Sequence, residues 1–343
     1  MKICIYGAGA IGGYLGLMLA KGGAEVSLIA RGAHLAAIRE KGLTVQFKDG
    51  TEEHAMLHAT DDPTSLGPQD YVVIALKAHQ AWEVAEQMTP LLGPDTAVVT
   101  AQNGVPWWYF HGFEGQYKDL RIESVDPGNR QWNAIGPERV IGCTVYPAAE
   151  ITEPGVIKHI YGDKFGLGEP TRADTDRIKA LSAVMEAGGL KAPINPEIRN
   201  DIWLKLWGNL CFNPISALTH ATLDVVATDP GTRAVAHAMM SEAEKIARRI
   251  GVHFRVDIER RINGAARVGA HRTSMLQDLE KGRQLEIDAL LTAVQEMGRL
   301  VDVNTPYIDT VLALVQQMGR VAGVYPTFPE PHLWCDPTEA AAD

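Results

Sequence analysis

The strongest constraint on the fold is a glycine-rich loop near the amino terminus, which follows the apolar run KICIY and precedes IGGYLGLMLAKGG, a stretch of helical composition. A G-x-G-x-x-G loop between a strand and a helix is typical of dinucleotide binding, because its backbone can approach a pyrophosphate at the positive end of the helix. The alternative is a glycine-rich turn inside a packed core. The residues predicted to bind the cofactor are Gly7, Ala8, Gly9, Ala10, Ile11 and Gly12.

The end of the second apolar run, EVSLIA, indicates which dinucleotide binds. NAD enzymes place Asp or Glu there, about 20 residues after the glycines, to bind the ribose hydroxyls. This chain has Ala30-Arg31 instead, and Glu25 lies at the start of the run, too early for that role. A guanidinium can pair with a 2′-phosphate and stack beside adenine. Arg31 therefore predicts NADP(H); the alternative is a solvated loop residue.

Short apolar runs alternate with helical patterns through the first third of the chain, which predicts a parallel sheet with crossover helices. Within it, a hairpin is expected to turn at Lys48-Asp49-Gly50. A helix is expected from Thr171 to Gly188. We therefore assign residues 1–192 to an α/β Rossmann-type domain.

The pattern changes at Ile198 to long helical stretches broken by prolines and glycines. This predicts an all-helical substrate and catalytic domain at 197–328. The stretch Lys191-Ala192-Pro193-Ile194-Asn195-Pro196 has the composition of a linker. Residues 329–343 are rich in proline and acidic residues and are expected to form an extended tail.

Charge and cysteine content exclude several classes of function. The chain carries 32 Lys+Arg against 42 Asp+Glu, a net charge of −10, so nucleic acid and anionic membranes are not expected partners. The four cysteines are scattered and form no CxxC pair, which fits a reducing cytoplasm. No metal is expected. Residues 3–20 lack charge, but five glycines interrupt them, so we expect no membrane span.

The second half contains a row of polar residues on a largely apolar helix. Lys205, Asn209 and Asn213 follow an i, i+4, i+8 spacing and therefore share one helical face. Buried polar groups need partners, so the row either faces a substrate or makes structural hydrogen bonds. A later stretch carries Ser274 and Glu286, and by itself it resembles an ordinary solvated helix.

Several short motifs occur in the order found in the ketopantoate reductase family, and the chain resembles that family over nearly its whole length. They are the glycine loop with Ala30-Arg31, Leu76-Lys77, Gln102-Asn103-Gly104, the W-x-K-L-x-x-N-x-x-x-N-P block from Trp203, and the S-M-x-Q-D block from Ser274. The family's active-site serine and glutamate are separated much as Ser274 and Glu286 are, which favours Glu286 over Glu280 or Glu296.

This resemblance implies a fold and a reaction. The second domain is expected to resemble the carboxyl-terminal domain of 6-phosphogluconate dehydrogenase, and closure of the two domains would assemble the site. The reaction would be NADPH-dependent reduction of 2-dehydropantoate to D-pantoate, a step of pantothenate and coenzyme A biosynthesis. Lys205 would be the general acid, and Glu286 would contact a substrate hydroxyl and the nicotinamide.

The resemblance also implies further binding residues. Asn209 and Asn213 would contact substrate, and Ser274 would meet its carboxylate. Lys77 and Asn103 would line the entrance shared by cofactor and substrate.

One segment departs from the family pattern. After Gly104 the chain inserts an aromatic-rich stretch, residues 105–137, beside the expected pocket. It could form a lid, a small satellite core or a dimer contact. The substrate could accordingly be another branched or aromatic 2-oxo acid, and a non-catalytic NADPH-sensing protein is a more distant alternative. The long apolar helices also make a homodimer an expectation.

Overall fold

The computed structural model describes residues 1–326, and the predicted tail at 329–343 lies outside them. Contacts within the chain define two compact units. The first contains Met1–Leu206, Ile250–Phe254 and Asp288–Met297. The second contains Trp207–Arg249, Arg255–Ile287 and the chain from Gly298 onward.

The first unit is built on a seven-stranded sheet with the order β11-β8-β7-β6-β1-β2-β5. All neighbouring strands are parallel except β11, which runs antiparallel to β8. The strands are β1 (Lys2–Tyr6), β2 (Glu25–Ile29), β5 (His58–Thr60), β6 (Gln69–Ile74), β7 (Leu92–Thr100), β8 (Val140–Val145) and β11 (Phe165–Gly168).

A second, four-stranded sheet has the order β4-β3-β10-β9. Its strands are β3 (Leu43–Gln46), β4 (Glu52–Ala55), β9 (Ala148–Glu153) and β10 (Val156–Tyr161). Strands β3 and β4 pair antiparallel across the turn that contains Lys48-Asp49-Gly50, so the predicted hairpin is confirmed. The next strand, β5, instead joins the large sheet beside β2.

Five helices and the start of a sixth belong to the first unit. They are α1 (Ala10–Lys21), α2 (Gly32–Lys41), α3 (Ala78–Ala81), α4 (Arg130–Ile135), α5 (Asp176–Ala187) and α6 (Ile198–Thr219). A π-helical turn at Asp288–Thr292 and the start of α11 (Ala293–Leu300) also lie in this unit. Helix α5 begins five residues later than the sequence predicted, because the hydroxyl of Thr175 accepts the N–H of Ile178 and caps the helix there. Arg172, before this cap, has a left-handed φ of 64° and is not helical.

The described part of the second unit contains helices and no strand. Besides the rest of α6 and the end of α11, the helices are α7 (Leu223–Thr228), α8 (Pro230–Arg249), α9 (Ile258–Ala266), α10 (Ser274–Glu280) and α12 (Pro306–Val321). The division between the units falls within α6 and α11. The predicted fold class, a Rossmann-type α/β part and a helical carboxyl-terminal part, is confirmed. Within residues 1–326, no helix has the length and apolar character that crossing a membrane requires.

An ion pair between a buried carboxylate and a half-buried guanidinium joins three elements of the first unit. The side chain of Glu169, at the end of β11, is 2% exposed and accepts hydrogen bonds from Arg177 Nε (2.8 Å) and Nη2 (2.6 Å). Arg177, in the first turn of α5, also donates to the carbonyls of Glu138 and Val140 at the start of β8. The carboxylate raises the pKa of the Arg177 guanidinium, so this guanidinium stays positively charged. The contact therefore fixes α5 against the edge of the sheet.

Replacing Arg177 by Met is expected to lower the free energy of unfolding by about 3–5 kcal/mol, because it leaves a buried carboxylate without its cation. Arg248→Met is the matched control, since Arg248 forms an exposed pair with Glu244 on α8 and should cost less than about 1 kcal/mol. Urea denaturation of both variants measures the difference. Equal losses would show that the buried pair contributes no more than a surface pair.

Candidate functional site

The glycine loop connects the end of β1 to the start of α1, as the sequence predicted. Gly7 has a φ of +104°, and the N–H groups of Gly7 and Ala8 donate to the carbonyl of Ile29 on β2. A Cβ at Gly12 would collide with the carbonyl oxygen of Gly7, whereas a Cβ at Gly9 would meet nothing within 4 Å. Among the described residues no side chain caps α1, so its first N–H groups have no side-chain partner there. The loop therefore has the open backbone and helix terminus that suit a phosphate group.

Arg31 lies at the same edge of the sheet as this loop. Strand β2 pairs in parallel with β1 so that Ile29 is opposite Tyr6, immediately before Gly7. Arg31 follows two residues later as the N-cap residue of α2, and its side chain is exposed. Its position is consistent with the predicted contact to a 2′-phosphate, which remains a prediction.

Two other predicted residues follow the neighbouring strands. Lys77 comes after β6 as the N-cap residue of α3, and Asn103 comes after β7. Because β1, β6 and β7 are adjacent and parallel, their carboxyl ends meet at one edge of the sheet. The Gln102 side chain donates to the carbonyl of Leu76 (3.0 Å) and ties the two loops together. The structure therefore brings the glycine loop, Arg31, Lys77 and Asn103 to a single edge.

Lys205 reaches this edge from helix α6. Its ammonium group donates to Asn103 Oδ1 at 2.7 Å and to the carbonyl oxygen of Val145, at the end of β8. The ring centroid of Tyr146 lies 5.8 Å from the Lys205 Nζ. The side chain is half-buried. Both of these acceptors are neutral oxygens, which accept a hydrogen bond without carrying a charge of their own.

The remaining predicted residues lie in the second unit. Asn213 on α6 is 6% exposed, and its Nδ2 donates to Ser274 Oγ at 3.3 Å. Ser274 is the first residue of α10, where the Thr273 side chain caps the helix. Asn209 and Glu286 are half-buried. The structure thus joins Asn103 to Lys205 in the first unit and Asn213 to Ser274 in the second.

The structure also identifies site groups that the sequence did not. The Val145 carbonyl and the Tyr146 ring contact Lys205 from sixty residues away in sequence, at the end of a buried strand.

Cys143 on the same strand is fully buried, and burial raises the pKa of its thiol to about 12, so it is no nucleophile at neutral pH. His79 follows Lys77, and burial together with the Lys77 charge lowers the pKa of its imidazole to about 4. Its ring is therefore neutral.

The aromatic insertion is packed where its aromatic residues are densest. Trp107, Trp108, Tyr109 and Phe110 are each at most 2% exposed, and the indole N–H of Trp108 donates to Thr100 Oγ1 at 2.8 Å. Further along the insertion, backbone N–H groups and the Ser124 hydroxyl donate to the carboxylate of Glu296. Residues 107–110 are therefore packed in the interior, as the satellite-core alternative expects.

A small cavity of about 20 Å³ lies beside Asn103, lined also by Trp107, Gln131 and Cys143. This volume holds about one water molecule, so a 2-oxo acid cannot bind in it. Among residues 1–326, no group of three or more His, Cys, Asp or Glu side chains is arranged to bind a metal ion.

Comparison with known proteins assigns the family. The family model described as "Ketopantoate reductase PanE/ApbA" matches residues 3–171, and the model of the family's carboxyl-terminal part matches residues 197–319. A protein of Mesorhizobium japonicum named 2-dehydropantoate 2-reductase is 55% identical over 309 residues, covering 90% of this chain and 94% of its own. The chain belongs to the ketopantoate reductase family.

Solved structures agree with this assignment. A crystallised protein of Ralstonia solanacearum MolK2, described as a ketopantoate reductase, has a TM-score of 0.90 and 42% identity, covering 94% of this chain and 99% of its own. A D-mandelate dehydrogenase, solved with NADH and anilino(oxo)acetate, has a TM-score of 0.78 and 25% identity, covering 94% of this chain and 100% of its own.

Proposed function

We propose that this protein is an NADPH-dependent reductase that converts 2-dehydropantoate to D-pantoate. The observation that carries the proposal is the ammonium of Lys205, held by Asn103 and Val145 at the sheet edge that bears the glycine loop. The name and 55% identity of the Mesorhizobium protein support this substrate. The pathway would be pantothenate and coenzyme A biosynthesis, as the family resemblance implies.

The glycine loop fits a dinucleotide. Within residues 1–326, space is open at Gly9, a side chain is excluded at Gly12, and no side chain caps the start of α1. Gly7 to Gly12 would hold the pyrophosphate, Arg31 would hold the 2′-phosphate, and Lys77, Asn103 and Glu286 would lie toward the nicotinamide. When bound, this cofactor supplies the reducing equivalent. The NADH-bound neighbour supports a nicotinamide dinucleotide, and Arg31 is the reason for preferring NADPH.

Lys205 would act on the keto oxygen of the substrate. Reduction at C2 of a 2-oxo acid builds negative charge on that oxygen, and a positioned ammonium both stabilises the charge and donates a proton. Asn103 and the Val145 carbonyl would hold the ammonium in place throughout. Asn209 and Asn213 would contact substrate, and Ser274 would bind its carboxylate, with its hydroxyl oriented by Asn213.

A second substrate class is favoured by one comparison. The D-mandelate dehydrogenase neighbour was solved with an aromatic 2-oxo compound, and it covers the same 94% of this chain as the Ralstonia protein. An aromatic or branched 2-oxo acid would need the same ammonium and the same carboxylate contact. Such an acid differs from 2-dehydropantoate only in the group attached to C2, so activity measurements with both compounds distinguish the two substrates.

The deciding experiment is the initial rate of NADPH oxidation by purified protein with 2-dehydropantoate, phenylglyoxylate and a branched 2-oxo acid, each repeated with NADH. We expect a saturable rate that is greatest with 2-dehydropantoate and NADPH. A higher kcat/KM with phenylglyoxylate than with 2-dehydropantoate would mean that the substrate is an aromatic 2-oxo acid. Tight NADPH binding without reduction of any 2-oxo acid would favour the sensing alternative.

Three further expectations remain part of this proposal. They are the domain boundaries 1–192 and 197–328, a homodimer, and a location in the cytoplasm.

Lys205→Ala is expected to lower kcat by about 10²- to 10⁴-fold, because it removes the proton donor. The Kd for NADPH, measured by fluorescence titration, should change less than about twofold, since the phosphate contacts are elsewhere. Lys179→Ala is the control: it removes a helical lysine of the same unit, whose exposed partner is Asp174. A Lys205→Ala enzyme with unchanged turnover contradicts the assignment.

Arg31→Ala is expected to raise KM for NADPH by about 10- to 100-fold, the loss typical of a charge-assisted hydrogen bond of 1.5–3 kcal/mol. The KM for NADH, which has no 2′-phosphate, should stay the same. Arg39→Ala, at the opposite end of α2, is the matched control for arginine removal on this helix. Equal changes in KM for NADPH and NADH would mean that Arg31 does not bind the 2′-phosphate.

A further inference from the structure

Residues 107–113, which we call the aromatic segment, lie against the first two turns of helix α6. The helix also carries Lys205, which follows these turns, and the segment follows closely after Asn103, the hydrogen-bond partner of Lys205. Two side chains of α6, Arg199 and Trp203, bind the segment directly. Helix α6 therefore contacts the segment through Arg199 and Trp203, and the chain just before the segment through Lys205.

Arg199 makes the first of these contacts. Its guanidinium donates to the carbonyls of Tyr109 (2.9 Å) and His111 in the segment, and to that of Pro170 (2.6 Å) in the turn after β11. The residue is 7% exposed, and its guanidinium carbon lies 4.5 Å from the ring centroid of Phe113. Burial lowers the pKa of this group to about 10, which still leaves it charged at neutral pH.

The rigid shape of a guanidinium explains why arginine suits this position. Its donors are fixed in one plane, so three carbonyls can be held at once only if their backbones keep a fixed arrangement. Arg199 thus locks the segment and the Pro170 turn onto the start of α6.

Trp203 makes the second contact. Its indole Nε1 donates to the hydroxyl of Tyr109 at 2.6 Å, and the two rings meet edge to face with centroids 6.4 Å apart. Both side chains are fully buried, so this hydrogen bond does not exchange with water. Tyr109 is therefore bound to α6 twice, through its carbonyl and through its hydroxyl.

The two residues that follow Asn103 are also fixed in place. Gly104, next to Asn103, has a φ of +89°, and a Cβ there would collide with the carbonyl of Ala289. The N–H of Val105 donates to that same carbonyl at 2.8 Å. The Ala289 contact thus lies between Asn103 and the aromatic segment along the chain, and the stretch that follows Asn103 is anchored at both of these places.

We propose that Arg199, Trp203 and Tyr109 are positioning residues that keep Asn103 in register with the Lys205 ammonium. They touch neither substrate nor cofactor and act through Asn103. The consequence for catalysis rests on the proposed role of Lys205 as general acid. Misplacement of a reacting group by about 1 Å can lower a rate 10²-fold, so a contact remote from the chemistry can have a large effect on kcat.

The test compares variants that delete the same hydrogen bond from either side. Tyr109→Phe removes only the hydroxyl, Trp203→Phe removes the indole donor, and a double variant removes both. We expect each single change to lower kcat about three- to tenfold, with KM for the 2-oxo acid and Kd for NADPH changed less than twofold. The double variant should be no slower than the slower single, because one interaction is lost in all three.

Trp207→Phe is the matched control. Trp207 lies one turn beyond Trp203 on α6, is fully buried, and donates its indole N–H to the carbonyl of Met240. It should lower the melting temperature about as much as Trp203→Phe but leave kcat unchanged. If the kcat values of the Tyr109 and Trp203 variants match that of this control, the contact is only structural and the proposal is wrong.

Arg199 is tested by rescue. Arg199→Met should lower kcat more than either aromatic change, and Arg199→Lys should restore part of the loss, because an ammonium keeps the charge and reaches some of the carbonyls. Equal kcat values for the Met and Lys variants, each folded as judged by circular dichroism, would contradict a positioning role for Arg199.

A readout that does not depend on turnover separates this proposal from the proposed function. The rate of Lys205 acetylation by acetic anhydride, followed by peptide mass spectrometry, reports how firmly its amine is held. We expect Tyr109→Phe and Trp203→Phe to raise this rate severalfold and Trp207→Phe to leave it unchanged. An inactive wild-type protein with this labelling pattern would overturn the reaction but not the positioning contact, whereas unchanged labelling in all variants would overturn the contact.

Discussion

The proposed chemistry depends on one arrangement, an ammonium group oriented by neutral oxygen atoms. The Lys205 Nζ donates to the Asn103 side chain and to the Val145 carbonyl, and both acceptors stand at the carboxyl ends of neighbouring strands of the large sheet. Acceptors of this kind direct the proton without taking it. A carboxylate in either place would instead compete with the substrate oxygen for the positive charge.

The order of the strands explains how residues so distant in sequence meet. Strands β2, β1, β6, β7 and β8 are consecutive neighbours and run parallel, so the loops that follow them lie side by side. These loops carry Arg31, the glycine loop, Lys77, Asn103 and Tyr146. In open parallel sheets this edge is where ligands bind, because the loops and helix termini converge there. Helix α6 then adds Lys205 from a separate part of the chain.

Local patterns in the sequence were enough to predict much of this. The glycine loop, the hairpin after β2 and the polar row on α6 all follow from short-range periodicity and turn chemistry. Contacts that depend on distant backbone could not be predicted. The carbonyls that accept hydrogen bonds from Arg199 lie up to ninety residues away in the sequence. The local sequence around an arginine does not show whether its side chain is buried or on the surface. The same limit left the aromatic insertion open, since only tertiary packing decides that Trp107 to Phe110 are buried.

Chemical rescue of the Lys205→Ala variant tests most directly whether an ammonium at this position donates the proton. The measurement is the rate of NADPH oxidation with 2-dehydropantoate as methylammonium is added, with tetramethylammonium, which has no N–H, as the control for ionic strength. A saturable increase with methylammonium alone is the predicted result. No increase, or the same increase with both cations, would contradict general-acid catalysis by Lys205.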